Sequence, residues 1–292
     1  MFIQKSFKET KFGVLYLIPT PIGNLEDITY RAVRMLTEVN VIAAEDTRHT
    51  QKLLSHFDIH TPLLSYHEHS KQSRIDLLIN KLIEGEDVGL VSDAGMPAIS
   101  DPGYEVVKAA IDKQINVVTL PGANAALCAL VSSGLSTEEY VFYGFLPRKK
   151  KERQAEMERL ANLKGTVLMY ESPYRLKGTL DELFKIFGNR QVVIAREITK
   201  LYEEYIRGSI TEVIEAIDNL EIKGECCLVI EGSHDDEKVD ELWWRHLSIP
   251  EHVNHYEEEK GLKNKAAMKE VALDRNISRR DIYQIIHVEN KN

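Results

Sequence analysis

The chain of 292 residues has few cysteines and no long apolar run. Its three cysteines are Cys128, Cys226 and Cys227, and the last two are neighbours in an apolar segment. Because neighbouring residues of a strand point to opposite faces, this pair does not favour a disulfide framework. The sequence has no run of about 18 apolar residues, and its N-terminus lacks the apolar core of a signal peptide. We therefore expect a cytoplasmic protein without a membrane segment.

Several common cofactor and nucleic-acid signatures are also absent. The sequence contains no G-x-G-x-x-G, no phosphate-binding P-loop and no Cys/His spacing typical of zinc. The formal net charge of −9 argues against a globally basic nucleic-acid binder. Basic runs are nevertheless present at 147–153, 260–265 and 279–280. They either hold RNA in a locally basic groove or form solvated helix faces.

Apolar runs alternate with helical periodicity, which predicts an α/β fold with a largely parallel sheet in the first half. Two closely spaced strands, 191–197 and 203–209, predict an antiparallel hairpin and therefore a mixed sheet in the second half. Three short helices end the chain, and they form either a helix-turn-helix or a plain helical cap. Ser278 is predicted to cap the third of them, with Asp281 at its third helical position. The other predicted strands are 14–19, 41–46, 62–68, 87–92, 116–122, 140–147, 166–172 and 225–232, and the predicted helices before the tail are 28–38, 47–57, 70–84, 103–113, 123–133, 148–163, 173–187 and 209–219.

Unusual loops follow four of the predicted parallel strands, at 19–27, 45–50, 92–103 and 120–126. Ligands of parallel sheets bind beyond the carboxyl ends of the strands, so these loops are candidates for a binding site. The small residues of "SDAGMPAISDPG" at 92–103 would let a ligand approach the backbone.

Some polar residues of these loops also have a structural interpretation. Ser100 or Asp101 is a possible N-cap of the following helix, and Thr47, with Asp46 nearby, is a possible N-cap of another. Arg48 and His49 would suit a phosphate or another polar substrate if they face a cleft.

Seven segments resemble, in order, the tetrapyrrole-methylase superfamily: "PTPIGNLEDIT", "AEDTRHT", "SDAGMPAISDPG", "LPGANAA", "FYGFLPRK", "YESPYR" and "AREITK". The match runs from about residue 14 to 232, and the tail resembles the helix-turn-helix extension of the members that methylate ribosomal RNA. The resemblance implies two α/β domains of the tetrapyrrole-methylase type with S-adenosylmethionine in the cleft between them, and a homodimer. We expect an N-terminal domain at 1–125, a C-terminal domain at 126–235, and a linker and tail at 236–292.

The activity that the resemblance implies is 2′-O-ribose methylation of one cytidine, C1402, in the decoding centre of 16S rRNA within the 30S subunit. Two rival interpretations are a precorrin or uroporphyrinogen methyltransferase and a non-enzymatic assembly factor on the same fold. The "EDTRHT" and "RKKK" segments and the tail argue against the first rival, and the intact cofactor loops argue against the second.

The resemblance also assigns roles to residues. Ser92, Ala94 and Asn124 depart from the commoner Gly-Asp-Pro and Pro-Gly-Ile-Thr-Ser patterns of the superfamily, whereas Asp93 is retained. A ribose hydroxyl needs a base or a cation that lowers its pKa, and the candidates are Asp46, Glu171, Glu197 and Lys200. No metal is required. The expected cofactor-binding residues are Pro21, Gly23, Asp93, Ala94, Gly95, Met96, Ile99, Ser100, Asn124, Ala125, Tyr170 and Ala195, and the expected RNA contacts are Arg48, Arg148, Lys149, Arg175 and Arg196.

Overall fold

The computed structural model describes residues 2–6, 11–67, 72–218, 220, 224–233, 244, 247–275 and 277–287. The chain divides into two compact units, Met1–Ser233 and His234–Asn292. The first part of the predicted linker and tail, 236–246, lies outside the described residues except for residue 244. A further division after residue 125 stays a prediction.

A five-stranded sheet occupies the first half of the larger unit, and all of its strand pairs are parallel, as predicted. Its order is β3-β2-β4-β1-β5. The chain thus leaves β1 in one direction and β4 in the other, so the loops after these two adjacent strands border the same crevice. The strands are β1 (Leu15–Leu17), β2 (Val41–Ala44), β3 (Leu63–Ser65), β4 (Val88–Val91) and β5 (Val117–Thr119).

Both faces of this sheet carry an apolar cluster. Alternate residues of a strand point to opposite faces, so one strand contributes to both clusters. In β2, Val41 and Ala43 belong to one apolar cluster, whereas Ile42 and Ala44 belong to another. This double burial explains the continuous apolar runs of the sequence. The helices of this half are α1 (Tyr30–Glu38), α2 (Thr47–His56), α3 (Gln72–Ile83), α4 (Tyr104–Asp112) and α5 (Ala125–Ser133).

Two of the expected helix caps are wrong. The side chain of Asp46, and not that of Thr47, caps α2 by accepting from the backbone N–H of Arg48. Neither Ser100 nor Asp101 caps α4, because its N-cap is Gly103, which makes no side-chain cap bond. Asp101 is therefore not explained by the start of the helix.

A mixed sheet of order β6-β7-β10-β8-β9 forms the second half of the larger unit. The predicted hairpin is confirmed, since β8 and β9 pair antiparallel. In β10, Cys226 and Cys227 lie in clusters on opposite faces of the sheet, and all three cysteines are free. The strands are β6 (Tyr140–Phe145), β7 (Thr166–Glu171), β8 (Gln191–Arg196), β9 (Glu204–Ser209) and β10 (Cys226–Ile230), and the helices are α6 (Lys150–Ala161), α7 (Pro173–Phe187) and α8 (Ile210–Ile217).

The smaller unit contains the three predicted tail helices, α9 (Ile249–Glu258), α10 (Asn264–Asp274) and α11 (Arg279–His287). They enclose a small core that includes Val253, Val271 and Ile282. The predicted Ser278 cap is confirmed, because its hydroxyl accepts from the backbone N–H of Asp281 at 3.2 Å. Across both units, no helix in the described ranges combines the length and apolarity that a membrane crossing needs.

Candidate active site

A cavity of about 520 Å³ lies in the larger unit, where loops of the two sheets meet. This volume is within the range of small-molecule and cofactor sites. The loops that follow β1, β2, β4 and β5 contribute on one side, and residues of β7, β8 and β10 contribute on the other. The described lining residues are Ile22, Glu45, Asp93, Ala94, Gly95, Met96, Ile99, Ser100, Asp101, Asn124, Ala125, Phe145, Tyr170, Ala195, Glu197, Ile198, Lys200, Gly224, Glu225, Cys226 and Cys227.

The loops after β1 and β4 are tied together beside this cavity. Thr20 and Gly95 form an isolated antiparallel bridge, and the Thr20 hydroxyl donates to the carbonyl of Ser92 at 3.2 Å. Gly95 has φ +81°, and a Cβ there would lie 3.1 Å from Cγ2 of Ile22. Both the backbone conformation and the close packing explain why a glycine occupies this position.

Uncommon backbone conformations concentrate in two loops of the cavity. Ala98 and Ser100 after β4, and Glu197 and Thr199 after β8, have positive φ values between 50° and 69°. Non-glycine residues rarely adopt this region, and such positions cluster at ligand-binding sites. The two loops therefore hold an arrangement that local backbone preference does not favour.

The cavity is acidic. Its described lining contains the carboxylates of Glu45, Asp93, Asp101, Glu197 and Glu225, but among the described residues Lys200 is its one lysine or arginine. Such a lining favours a cationic ligand and disfavours a phosphate inside the cavity.

Burial and the neighbouring carboxylates shift the pKa of Asp101. Burial, and after it the negative charge of Glu45, raises the pKa of Asp101 to about 7. Asp93 and Glu225 add to this effect, whereas a hydrogen bond with Ser92 opposes it. The carboxyl group of Asp101 thus ionises near neutral pH, and a bound cation would stabilise its charged form.

Lys200 and Glu197 form an ion pair at the cavity, with Nζ and Oε1 2.9 Å apart. The side chain of Lys200 is 44% exposed and also lies against Gly23, whose missing side chain leaves room for it. The hydroxyl oxygen of Thr199, one residue before Lys200, is buried and has no hydrogen-bond partner among the described residues. A buried unpaired hydroxyl is costly, so this loop offers one unused polar group.

Aromatic and thiol groups line the side of the cavity formed by the second sheet. The ring of Tyr170 packs against Phe142 and Phe145, and burial raises the pKa of its phenol well above the ordinary value. Burial likewise raises the pKa of the Cys226 thiol to about 11 and that of Cys227 to about 12. Both thiols stay protonated near neutral pH, so neither is a ready nucleophile.

The structure brings together most of the residues predicted to bind a cofactor. Pro21 and Gly23 do not line the cavity, and Ile22 between them does. The predicted residues that line it are Asp93, Ala94, Gly95, Met96, Ile99, Ser100, Asn124, Ala125, Tyr170 and Ala195.

Of the candidate catalytic groups, Lys200 and Glu197 line the cavity, but Asp46 and Glu171 do not. Asp46 caps α2, and its hydrogen bonds with Arg48 hold the pKa of its carboxyl well below the usual range. Glu171 is 1% exposed and accepts from the Thr179 hydroxyl at 2.7 Å. Both carboxylates therefore have structural partners outside the cavity.

The predicted RNA contacts also lie outside the cavity lining. Arg48, Arg148 and Lys149 are exposed, although Arg48 pairs with Asp46 and Lys149 pairs with Glu152. Arg175 and Arg196 are largely buried in ion pairs, with 32% and 17% of their side chains exposed. Arg175 pairs with Glu171, and Arg196 pairs with Glu204.

Sequence reasoning did not single out several residues of the cavity. Glu45 is adjacent to Asp46 in the "EDTRHT" segment, and only the fold decides which acid faces inward. The sequence offers only a helix cap as a role for Asp101. Gly224, Glu225, Cys226 and Cys227 carry no motif, because β10 enters the site only through its pairing with β7 and β8.

Comparison with known proteins agrees with this arrangement. The family model described as Tetrapyrrole (Corrin/Porphyrin) Methylases matches residues 14–214, and the chain belongs to this family. Within it, the chain is 54% identical to the Ribosomal RNA small subunit methyltransferase I of Halalkalibacterium halodurans, over 95% of this chain and 96% of that protein. It is 50% identical to the protein of the same name from Bacillus subtilis, over 98% of both chains.

Solved structures show the same fold at much lower identity. A cobalt precorrin-4 methyltransferase of cobalamin biosynthesis aligns with a TM-score of 0.57 and 18% identity, over 75% of this chain and 94% of that one. A uroporphyrin-III C-methyltransferase from Thermus thermophilus, in complex with S-adenyl homocysteine, aligns with a TM-score of 0.54 and 17% identity, over 75% and 97%.

Proposed function

We propose that the protein transfers a methyl group from S-adenosylmethionine to 16S rRNA of the small ribosomal subunit. The observation that carries this proposal is the identity of 50–54%, over at least 95% of the chain, to enzymes named for methylation of small-subunit ribosomal RNA. The finer proposal is that the acceptor is the ribose 2′-oxygen of one cytidine, C1402. The acidic cavity supports the cofactor, because its described carboxylates outnumber its single lysine.

The cavity residues fit S-adenosylmethionine in size and charge. When bound, this cofactor supplies a methyl group on a positively charged sulfur. The small residues Ala94 and Gly95 would let it lie close to the backbone of the loop after β4. Asp93 and Asp101 would place negative charge near it, and Asn124 and Ala125 would border it at the start of α5.

Lys200 and Glu197 are the groups that we propose to act on the acceptor hydroxyl. The Lys200 ammonium would lower the pKa of a nearby acceptor hydroxyl. The Glu197 carboxylate, whose Oε1 lies 2.9 Å from the Lys200 Nζ, would accept the proton that this hydroxyl loses. The remaining task of the site is to hold the hydroxyl in line for attack, which is a matter of positioning.

The RNA would approach from outside the cavity, because phosphates are disfavoured within its acidic lining. The exposed side chains of Arg48, Arg148 and Lys149 are proposed to contact phosphates. A ribose in a folded decoding centre would reach the cavity when its nucleotide is flipped out. We further propose that the enzyme acts as a cytoplasmic homodimer on the 30S particle.

The test uses 30S subunits from cells that lack the corresponding activity, incubated with the purified protein and labelled S-adenosylmethionine. Digestion and mass spectrometry then map any labelled nucleotide. We expect one label, on the ribose 2′-oxygen of cytidine 1402. Label on a base or on another nucleotide would retain rRNA methylation but refute the finer assignment.

A double variant tests whether the exposed cations contribute to RNA binding and not to cofactor binding. The double variant Arg148→Ala, Lys149→Ala should weaken binding of 30S subunits and leave cofactor affinity unchanged. Cofactor binding without any transfer to 30S subunits, together with transfer to a tetrapyrrole, would refute the proposed function.

A further inference from the structure

Phe145 is an aromatic residue at the cavity that stays exposed and is not packed into the core. It is the last residue of β6, it lines the cavity and it is 46% exposed, whereas the next residue, Leu146, is 3% exposed. In the parallel pairing of β6 and β7 it lies opposite Tyr170, and the two ring centroids are 5.4 Å apart. Tyr170 is half-buried, whereas Phe145 presents nearly half of its surface to solvent at the site.

A β-bulge sets the position of Phe145. The register of β6 against β7 shifts between Phe142 and Gly144, and Gly144 has φ +82°. A Cβ on Gly144 would lie 2.9 Å from Oγ of Ser100, so the end of β6 packs directly against the loop after β4. Bulges turn a strand and re-aim its side chains, and they are common beside active sites. The bulge thus brings the Phe145 ring to the cavity.

The residues after Phe145 differ in charge from the cavity interior. Arg148 and Lys149, three and four positions further along the chain, are exposed cations, and Lys149 pairs with the exposed carboxylate of Glu152. The interior, in contrast, contains five carboxylates among its described residues. This segment therefore combines an aromatic surface at the cavity with positive charge outside it, a combination typical of proteins that bind single-stranded RNA.

We propose that Phe145 stacks on the base of the nucleotide whose ribose is methylated. This inference rests on the proposed function. A flipped base must exchange its neighbours in the helix for another flat surface, and aromatic side chains supply one. The half-exposed ring is accessible from solvent, as an incoming nucleotide requires. The acidic interior favours the cationic cofactor, whereas the exposed ring of Phe145 is available to contact the RNA.

Four single variants test the proposal, each measured for cofactor affinity, thermal stability, oligomeric state and steady-state methylation of 30S subunits. Phe145→Ala removes the ring, Phe145→Leu keeps an apolar side chain without a π face, and Phe145→Trp keeps an aromatic face. Tyr140→Ala is the matched control, because Tyr140 lies at the other end of the same strand and is 44% exposed.

We expect Phe145→Ala to lower kcat/KM for 30S subunits about 5- to 150-fold, mainly through a higher KM, since loss of one stacked base has this range of effect. The cofactor Kd and the oligomeric state should stay within error of the wild type. Phe145→Leu should be impaired like the alanine variant, Phe145→Trp should recover most of the activity, and Tyr140→Ala should behave as the wild type.

Several outcomes would overturn the proposal. An equal loss of cofactor affinity in Phe145→Ala would assign the ring to the cofactor, and a change in oligomeric state would assign it to a second copy of the chain. Full activity of Phe145→Leu would show that no aromatic face is needed. If the wild type methylated no 30S subunits, the proposed function itself would fail, and the role of Phe145 with it.

Discussion

Thr20 and Gly95 exchange two backbone hydrogen bonds, each 3.0 Å long, between the loops that follow β1 and β4. These strands are neighbours in the sheet, yet the chain leaves them in opposite directions. The exchange closes the crevice between their loops into one wall of the cavity. Residues of the loop after β4, including Asp93 and Met96, belong to this wall.

Replacing Gly95 with alanine should disturb this wall. The residue has φ +81°, and a Cβ would lie 3.1 Å from Cγ2 of Ile22 and 3.3 Å from the carbonyl oxygen of Ala123. We expect Gly95→Ala to lower the free energy of unfolding by about 1–2 kcal/mol from the backbone alone, with a further loss from packing. Chemical denaturation measures the stability, and calorimetric titration measures cofactor affinity, which should also fall.

The control for this variant is Gly85→Ala. Gly85 has φ +93°, but no atom of the described residues lies within 4 Å of a Cβ built there, and the residue is not part of the cavity lining. This variant should lose only the backbone contribution and bind cofactor normally. Equal effects of the two substitutions on cofactor affinity would contradict the role given to the loop.

Cofactor affinity should depend on pH through Asp101. Because the pKa of this group is raised to about 7, its carboxyl is mostly protonated below this pH and mostly ionised above it. A cationic ligand gains attraction from the ionised form, so its affinity should rise between about pH 6 and 8. Titration calorimetry across this range should show the rise in the wild type and a flatter profile in Asp101→Asn.

The same group makes a definite contribution to the pH dependence of stability. Its folded pKa of about 7 lies above the ordinary value of 3.8, so the folded protein holds this proton more tightly than the unfolded chain. The contribution of this proton to the free energy of unfolding is fully present below the ordinary pKa of 3.8. It is lost as the pH rises through the folded pKa of about 7. Relative to the wild type, Asp101→Asn should therefore gain stability as the pH rises.

Removing the charge of Lys200 should slow catalysis more than it weakens binding. If its ammonium group lowers the pKa of the acceptor hydroxyl, Lys200→Met should reduce kcat by about 100-fold or more. Single-turnover methylation of 30S subunits at saturating cofactor measures this step. The matched control is Lys177→Met, since Lys177 is also a half-exposed lysine that pairs with a carboxylate, that of Asp218.

The buried thiols should be unreactive in the folded protein. The pKa values of Cys226 and Cys227 are raised to about 11 and 12 by burial, so their thiolate fractions near neutral pH are very small. Iodoacetamide should modify Cys128, which is half-buried, well before either of them. Mass spectrometry of the native and the denatured protein checks this order, and rapid native alkylation of Cys227 would show that the second sheet opens readily.

Local signals in the sequence determined much of the fold. Continuous apolar strands predicted the buried parallel sheet, because both of its faces are covered by helices. Two short strands with a brief connection predicted the β8–β9 hairpin. Ser278 marked the start of α11, since a helix cap depends on residues only a few positions apart.

The composition of the site depended on the tertiary structure. Glu45 and Asp101 come from different strand ends, and only the parallel pairing of β2 and β4 brings their charges close enough to raise a pKa. The same holds for Phe145, whose direction depends on a bulge against β7. A sequence displays which residue types are available near each strand end, but burial and long-range electrostatics arise only when distant segments pack together.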